Sequence, residues 1–387
     1  MMVTVNSETS LDAAAASQPE APVIAVPAAA APSAARRSFA LPIPLGRPQV
    51  FGGLLLIAFA AQAVWLAAHR AASFTYAAVA ESPYAPLAFL PHTLWPAAPR
   101  WVMALPFVVL GLLLGASLWY VARRLYGNTG AYLAVSLYAF SPLALSVSAS
   151  TRPDIAGAWG FFGAIFTAIA LAHTLWAPPA HRVWRIVLLG IAIALALTAD
   201  FGLWIVAPYC LLLVWYLIPD RRLAGFGTLA LSCAVALLLY WTAHGFDLAA
   251  LRHGIAAFPE NHFAFTQANF HQFRMQLRQF AIQSPALLVL LHLALITYRL
   301  NRRSRYFGNT APILISLSLV ILGFITVPRP GWTPLLLARA FLVLFCAGML
   351  TDLFDTKRRR WALPVVVVCV VFNAAWCLFY ALPRLAR

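Results

Sequence analysis

Residues 101–149 read WVMALPFVVLGLLLGASLWYVARRLYGNTGAYLAVSLYAFSPLALSVSA. Two apolar runs, near 101–122 and 130–149, stand on either side of Arg123 and Arg124. A helix rises about 1.5 Å per residue, so each run is long enough to cross the roughly 30 Å hydrocarbon core of a bilayer. The stretch therefore predicts two membrane-spanning helices joined by a basic turn.

The rest of the chain repeats this pattern. The 387 residues are 63% hydrophobic and only 10% charged, whereas a soluble domain is about one quarter charged. We predict an all-α polytopic membrane protein with about eleven transmembrane helices. The other predicted spans lie near 51–68, 155–176, 183–199, 202–218, 224–244, 282–300, 310–327, 332–353 and 362–382.

The basic residues predict the orientation of these spans. If the N-terminus is inside, every inner segment carries an arginine cluster and no outer segment carries an adjacent pair, as the positive-inside rule requires. The clearest inner clusters are Arg123–Arg124, Arg221–Arg222, Arg302–Arg303 and Lys357–Arg360. The C-terminus is then outside. Because the basic residues behind the net charge of +16 lie mainly in these short turns, nucleic-acid binding is not predicted.

Two regions apart from the spans complete the domain organisation. Residues 1–48 are rich in Ala and Pro and predict a disordered cytoplasmic tail, followed by a transmembrane domain over 49–387. Outer loops are predicted near 69–100 and 246–280. The second loop contains an amphipathic stretch, 263–280, which is either a helix lying along the outer membrane interface or an ordinary loop helix covering the bundle.

The acidic residues are few, and topology divides them. Of 11 acids, those predicted on the outer face are Glu81, Asp154, Asp200, Asp247 and Glu260. Acids at membrane level are costly unless they are paired or line a wet cavity. Asp154 follows Arg152-Pro153 at a predicted helix start. There it either caps the helix and pairs with Arg152 or has a functional role.

Several blocks resemble a known family. Val121–Ala134, then Phe140-Ser-Pro, then Arg152-Pro-Asp154 resemble the polyprenyl-phosphate-sugar-dependent glycosyltransferases of the GT-C superfamily. The branch is that of the protein mannosyltransferases and aminoarabinose transferases, of which this chain looks like a divergent member. Leu195–Gly202 is similar to the Leu-Thr-Lys-Gly turn of that branch.

The resemblance implies a membrane glycosyltransferase with a GT-C-like fold in the cell (inner) membrane. A polyprenyl-phosphate sugar would be the donor, and a carboxylate, Glu81 or Asp154, would deprotonate the acceptor at the outer (periplasmic) face. Basic groups would hold the departing phosphate. The substrate-binding candidates are His92, Arg100, Arg152, Arg329 and Arg339. No cofactor is certain, although a divalent metal is possible; no pattern of metal ligands occurs in the sequence.

The chain also departs from the family. Early in its first outer loop, where the family has an acid, this sequence reads His69-Arg-Ala-Ala-Ser-Phe-Thr-Tyr76. Glu81 is either a base in a shifted position or a solvated loop acid, and Arg339 either binds substrate or snorkels to the interface. The alternative function is a non-catalytic GT-C-like protein that binds lipid or serves as a scaffold or accessory subunit of a membrane protein partner. A transporter is less favoured, because no internal repeat is visible.

Overall fold

The chain folds into a bundle of α-helices. We describe it from a computed structural model, which covers residues 47–70, 85–175, 182–249, 251–253, 255–256, 263, 266–300, 306–327 and 331–386. The helices, in chain order, are α1 Pro48–His69, α2 Ala85–Leu94, α3 Leu105–Ala139, α4 Pro142–Ser148, α5 Asp154–Thr174, α6 Arg182–Ala199, α7 Val206–Leu217, α8 Arg222–Ala243, α9 Gln267–Gln283, α10 Pro285–Leu300, α11 Ala311–Ile325, α12 Pro334–Phe354, α13 Arg359–Trp376 and α14 Leu382–Ala386. Over these residues the all-α prediction is confirmed.

Helix α3 is a hairpin of two antiparallel arms. Gly127 has φ +77°, a conformation that favours glycine, and it breaks the helix between the arms. The Tyr138 hydroxyl on the second arm donates to the Gly111 carbonyl on the first arm at 2.7 Å. In a straight helix these two residues would be about 40 Å apart. The arms correspond to the apolar runs near 101–122 and 130–149, with the basic turn between them.

Helix α12 occupies the centre of the bundle. Every residue from Pro334 to Leu353 is buried, and α12 packs against α3, α5, α10 and α11. A helix that is apolar on all sides needs neighbours around its whole circumference, so the other helices surround it. Two of its buried side chains, Arg339 and Asp352, are charged.

Helix ends meet at two opposite faces of the bundle. On the first face, which we call the site face, the end of α1 contacts α4 and the C-terminus, and the start of α5 contacts the start of α12. On the opposite face, Arg182 and Arg221 donate to the carbonyl of Leu175, just after α5. The same face joins Tyr126 to Gly308. Arg70 and Asp154, which the sequence places on the outer side, lie on the site face.

In the described part of the chain, fewer helices are long and apolar enough to span a membrane than the sequence predicted. Among the described residues eight helices are long and apolar enough to cross a membrane, or nine if α9 and α10, bent by 94°, form one broken span. The sequence count of about eleven treats the arms of α3 separately and includes Phe201–Leu217, which is short. The number of spans and their sidedness therefore stay predictions. The domain boundaries also stay predictions, because residues 1–46 of the predicted tail lie outside the described part.

Candidate active site

Asp154 is the first residue of α5 and lies in the interior of the site face. Its side chain is only 4% exposed. The Thr333 hydroxyl donates a hydrogen bond to Oδ1, while Oδ2 has no hydrogen-bond partner among the described residues. A buried acceptor without a donor is costly, so this oxygen is a candidate for binding a donor from a substrate.

Local backbone geometry brings Thr333 to Asp154. Gly331 has φ +91°, and a Cβ there would clash with the carbonyl of Ala199. Its own carbonyl lies 3.3 Å from the position that a Cβ on Gly157 would take. Glycine at 331 therefore lets the chain pass between α5 and the end of α6 before Pro334 starts α12. The starts of α5 and α12 meet as a result.

One arginine places positive charge beside this carboxylate, and a second arginine lies near the first. Arg152 is exposed and interacts electrostatically with both Asp154 and Arg70. Arg70 is half-buried after α1, where its Nε donates to the Leu385 carbonyl at 2.6 Å and its Nη1 to the Ser146 hydroxyl at 3.0 Å. Burial, and then repulsion from Arg152, lower the pKa of Arg70 below its ordinary value. Two like charges held this close favour an anion near both.

Asp200 is a second acid near the same backbone. It caps the turn Phe201–Ile205, since its side chain accepts from the Gly202 N–H at 2.7 Å. A Cβ on Gly331 would lie 3.0 Å from the Cβ of Asp200, so the glycine segment passes between the two acids. The capping bond gives Asp200 a structural role at the break between the predicted spans 183–199 and 202–218.

The structure brings together only some of the predicted site residues. Asp154 and Arg152 interact, whereas Glu81 and Arg329 lie outside the described residues. His92 is near the end of α2 and Arg100 begins the turn before α3; neither is among the contacts of Asp154 in the described part.

Arg339 lies apart from Asp154. It is buried on α12, where its Nη1 donates to Ser284, whereas Asp154 accepts from Thr333; among the described residues the two side chains share no hydrogen-bond partner. Within the described ranges there is also no group of three or more His, Cys, Asp or Glu side chains placed as ligands of a metal ion.

Sequence reasoning missed Thr333, Gly331 and Arg70 as site residues. A signal was present for Thr333, because it directly precedes Pro334, and proline marks a first helical turn. Two helices that start on the same face can place their first residues in contact. Arg70 carried only the signal of a basic residue at the outer end of a span, and Gly331 carried none without its φ angle.

Comparisons with known proteins agree with this architecture. Residues 87–244 match the family of dolichyl-phosphate-mannose-protein mannosyltransferases. A search of curated protein sequences found no match. Among solved structures, the chain is similar to ArnT from Cupriavidus metallidurans bound to undecaprenyl phosphate, with a TM-score of 0.53 and 15% identity, over 89% of this chain and 74% of that one.

Two further similar structures are oligosaccharyltransferases from Archaeoglobus fulgidus. AglB in complex with an inhibitory peptide and a dolichol-phosphate has a TM-score of 0.48 and 14% identity, over 87% of this chain and 55% of that one. The apo enzyme has a TM-score of 0.44 and 15% identity, over 79% and 47%. The chain thus spans about half the length of these two relatives.

The fold and the face that carries Asp154 define a class. The chain is a multi-pass membrane protein with the fold of GT-C membrane glycosyltransferases. The resemblance read from the sequence, to the mannosyltransferase and aminoarabinose-transferase branch, is confirmed at the distance of a divergent relative. Arg152 and Asp154 lie within the matched segment.

Proposed function

We propose that this protein transfers a sugar from a polyprenyl-phosphate donor to an acceptor at the outer, periplasmic face of the cell inner membrane. The observation that carries the proposal is the Asp154 carboxylate, which is buried at the site face with one oxygen lacking a partner in the described part of the chain. Its place within the segment matched by the mannosyltransferase family supports the same reading.

Asp154 is suited to act as a general base. Thr333 holds Oδ1, so Oδ2 is oriented to accept the proton of an acceptor hydroxyl. As the hydroxyl oxygen attacks the anomeric carbon, the bond from that carbon to the phosphate oxygen breaks, and polyprenyl phosphate leaves with the bonding electrons. Arg152 and Arg70 would neutralise the phosphate. His92, Arg100 and Arg329 remain further candidates for that role, and Glu81 remains the second candidate base.

Substitution of the two carboxylates tests the proposal. Reconstituted protein would receive polyprenyl-phosphate mannose or polyprenyl-phosphate aminoarabinose, with membrane extract as acceptor, and release of polyprenyl phosphate would be measured. We expect Asp154→Asn to lower the rate at least about 100-fold, since general bases contribute roughly that much or more. Glu81→Gln lowers it similarly if Glu81 shares the chemistry.

Asp247→Asn is the matched control. Asp247 is an exposed acid on the same face, and its side chain accepts only a local bond from the Ala249 N–H at 2.7 Å. Its loss should leave the rate unchanged. Wild-type rates in both Asp154→Asn and Glu81→Gln would contradict the assignment of a carboxylate base on this face.

A non-catalytic role is the second candidate. The stretch from His69 to Tyr76 contains no carboxylate where the family has an acid, which favours a lipid-binding, scaffold or accessory subunit. Such a protein would copurify with a membrane protein partner and would transfer no sugar from either donor. Turnover by the isolated chain would exclude this role.

A further inference from the structure

Trp332 is a buried tryptophan in the connection between α11 and α12. It lies between Gly331 and Thr333, and its side chain is 3% exposed. Its indole Nε1 donates a hydrogen bond to the hydroxyl of Thr326, just after α11, at 2.8 Å. An indole N–H can only donate, and when buried it usually finds an acceptor. This bond therefore holds the residue that directly precedes Thr333.

Thr326 is a firmly placed partner for this bond. Its side chain is 2% exposed, and its hydroxyl donates to the Leu322 carbonyl of α11 at 2.7 Å. Because that bond uses the only hydroxyl hydrogen, a lone pair remains for the Trp332 indole. The backbone of Thr326 also forms an antiparallel β-bridge with Phe263. Thr326 thus attaches Trp332 to the end of α11.

The end of α11 is itself packed tightly against α9. The Phe324 ring lies 5.0 Å from the ring centre of Phe270 and 4.7 Å from that of Phe273. Phe273 is buried, and a Cβ on Gly323 would clash with its ring. Close-packed side chains of this kind leave little room for the backbone to shift. The acceptor of the Trp332 bond therefore stands on a rigid support.

The backbone of Thr333 determines where its hydroxyl points. Its carbonyl accepts from the N–H groups of Leu336 and Leu337 at 2.9 and 3.2 Å, which ties it to the first turn of α12. A β-branched side chain is stiff at χ1, so its hydroxyl moves with the backbone. A displacement of Trp332 would therefore change the hydrogen bond from Thr333 to Asp154.

We propose that Trp332 is a positioning residue for the Asp154 carboxylate. Its bond to Thr326 sets the backbone of the following residue, whose hydroxyl holds Oδ1 of Asp154 so that Oδ2 faces the acceptor. The indole itself binds no substrate in this arrangement. The inference rests on the proposed role of Asp154 as the base, so its test includes a measurement that needs no sugar transfer.

Kinetics of the reconstituted protein, with the two sugar donors named above, give the first test. Trp332→Phe removes the indole N–H and keeps an aromatic ring, whereas Thr326→Val removes the acceptor and keeps the shape. We expect each to lower kcat about 10- to 100-fold at a nearly unchanged KM for the donor, because misplacing a reacting group by about 1 Å can cost about 100-fold. Thr326→Ser keeps the hydroxyl and should retain most of the rate. The double variant Trp332→Phe/Thr326→Val should be no slower than the slower single variant, since all three lose one and the same bond.

Trp159→Phe is the matched control. The Trp159 Nε1 donates to the Ser117 hydroxyl at 3.2 Å, between α5 and the first arm of α3. The substitution therefore removes the same kind of bond, from an indole to a hydroxyl, at a place that does not hold Thr333. We expect kcat and KM to stay at their wild-type values.

Thermal unfolding in detergent gives the test that needs no transfer. Substitutions that act on one shared contact are not additive, whereas independent ones are. Asp154→Ala removes the acceptor of Thr333, so in that background Trp332→Phe should lower the unfolding temperature by less than it does in wild type. Trp159→Phe should lower it equally in both backgrounds.

Three results would overturn the proposal: a wild-type kcat in both Trp332→Phe and Thr326→Val, a raised KM at an unchanged kcat, or additive shifts in unfolding temperature for Trp332→Phe and Asp154→Ala. Absence of transfer by the wild-type protein would contradict the proposed function instead. The unfolding temperatures would then decide by themselves whether Trp332 positions the carboxylate.

Discussion

At the scale of single residues, two buried charges lie on different sides of α12. Asp154 is held through Thr333 at the start of that helix, and Arg339 is carried by the helix itself. Each has a hydrogen bond on one edge and free positions on the other within the described chain. Since an unsatisfied buried group costs about 1–3 kcal/mol, and more when charged, these free positions do not stabilise the fold.

The hydroxyl of Thr333 orients Asp154, and its removal gives a residue-scale prediction. Thr333→Val keeps the shape of the side chain and removes the donor to Oδ1. We expect sugar transfer to fall roughly 10- to 150-fold, because a hydrogen bond to a charged group is worth about 1.5–3 kcal/mol. The rate of polyprenyl phosphate release measures it.

Thr333→Ser is the control for that prediction, since it keeps the hydroxyl and should retain most of the rate. If Ser, which loses the methyl group, were as impaired as Val, packing rather than orientation of the carboxylate would be the cause.

The sequence predicted part of this site for a physical reason. Asp154 and Arg152 were recognisable because charges are rare at membrane level and because a motif surrounds them. Thr333 and Gly331 could not be predicted in the same way, since their importance arises from a contact between helix starts distant in sequence. The residue type alone predicts neither the φ angle of Gly331 nor its closeness to Ala199.

At the scale of helices, small residues set the distance between α5 and α6. A Cβ on Gly160 would lie 2.6 Å from the Ala196 nitrogen and 2.7 Å from the Ala192 carbonyl oxygen. The helix backbones therefore touch at this point, as small residues allow in membranes. Because α5 begins with Asp154, this packing also fixes the depth of the carboxylate.

Gly160→Ala should destabilise the protein more than Gly163→Ala. At Gly160 the new methyl group meets backbone atoms that cannot rotate away, whereas at Gly163 the nearest atom, the Ala192 Cβ, is 3.5 Å away in ordinary contact. We expect a cost of about 1–3 kcal/mol for Gly160→Ala, and no loss for Gly163→Ala, where a better helix former replaces glycine. Thermal unfolding in detergent measures both.

Equal unfolding temperatures for the two variants would contradict the close approach of α5 and α6. A lower temperature for Gly163→Ala alone would place the tight contact one turn further along α5 than the structure has it.

Helix positions were largely predictable from hydropathy, and their exceptions have local causes. Each predicted apolar run overlaps a helix, because a run that crosses lipid must satisfy its backbone internally. Helix α7 (Val206–Leu217) is shorter than the predicted run near 202–218, since the turn Phe201–Ile205, capped by Asp200, precedes it and Pro219 follows it. The bend between α9 and α10 agrees with one of the two readings of 263–280, a helix along the membrane interface, whereas its position at Ser284 and Pro285 was not predicted.

At the scale of the whole molecule, the arrangement of charge agrees with the predicted orientation. On the face opposite the site, Arg182 and Arg221 donate to carbonyls at the end of α5, where cations also complement the helix dipole. Arg182 and Arg221, which the sequence predicts to be inside, thus also cap the end of a helix. The site face instead carries Arg152, which interacts with both Asp154 and Arg70.

Chemical labelling in intact cells tests this orientation. In a background with the five native cysteines replaced, Asp247→Cys would stand on the site face after α8, and Lys357→Cys on the opposite face after α12. Both positions are exposed. We expect a membrane-impermeant maleimide to label Asp247→Cys in intact cells and Lys357→Cys only after permeabilisation, because the arginine clusters hold the second face inside. The reverse pattern would place Asp154 on the cytoplasmic side and exclude transfer at the periplasmic face.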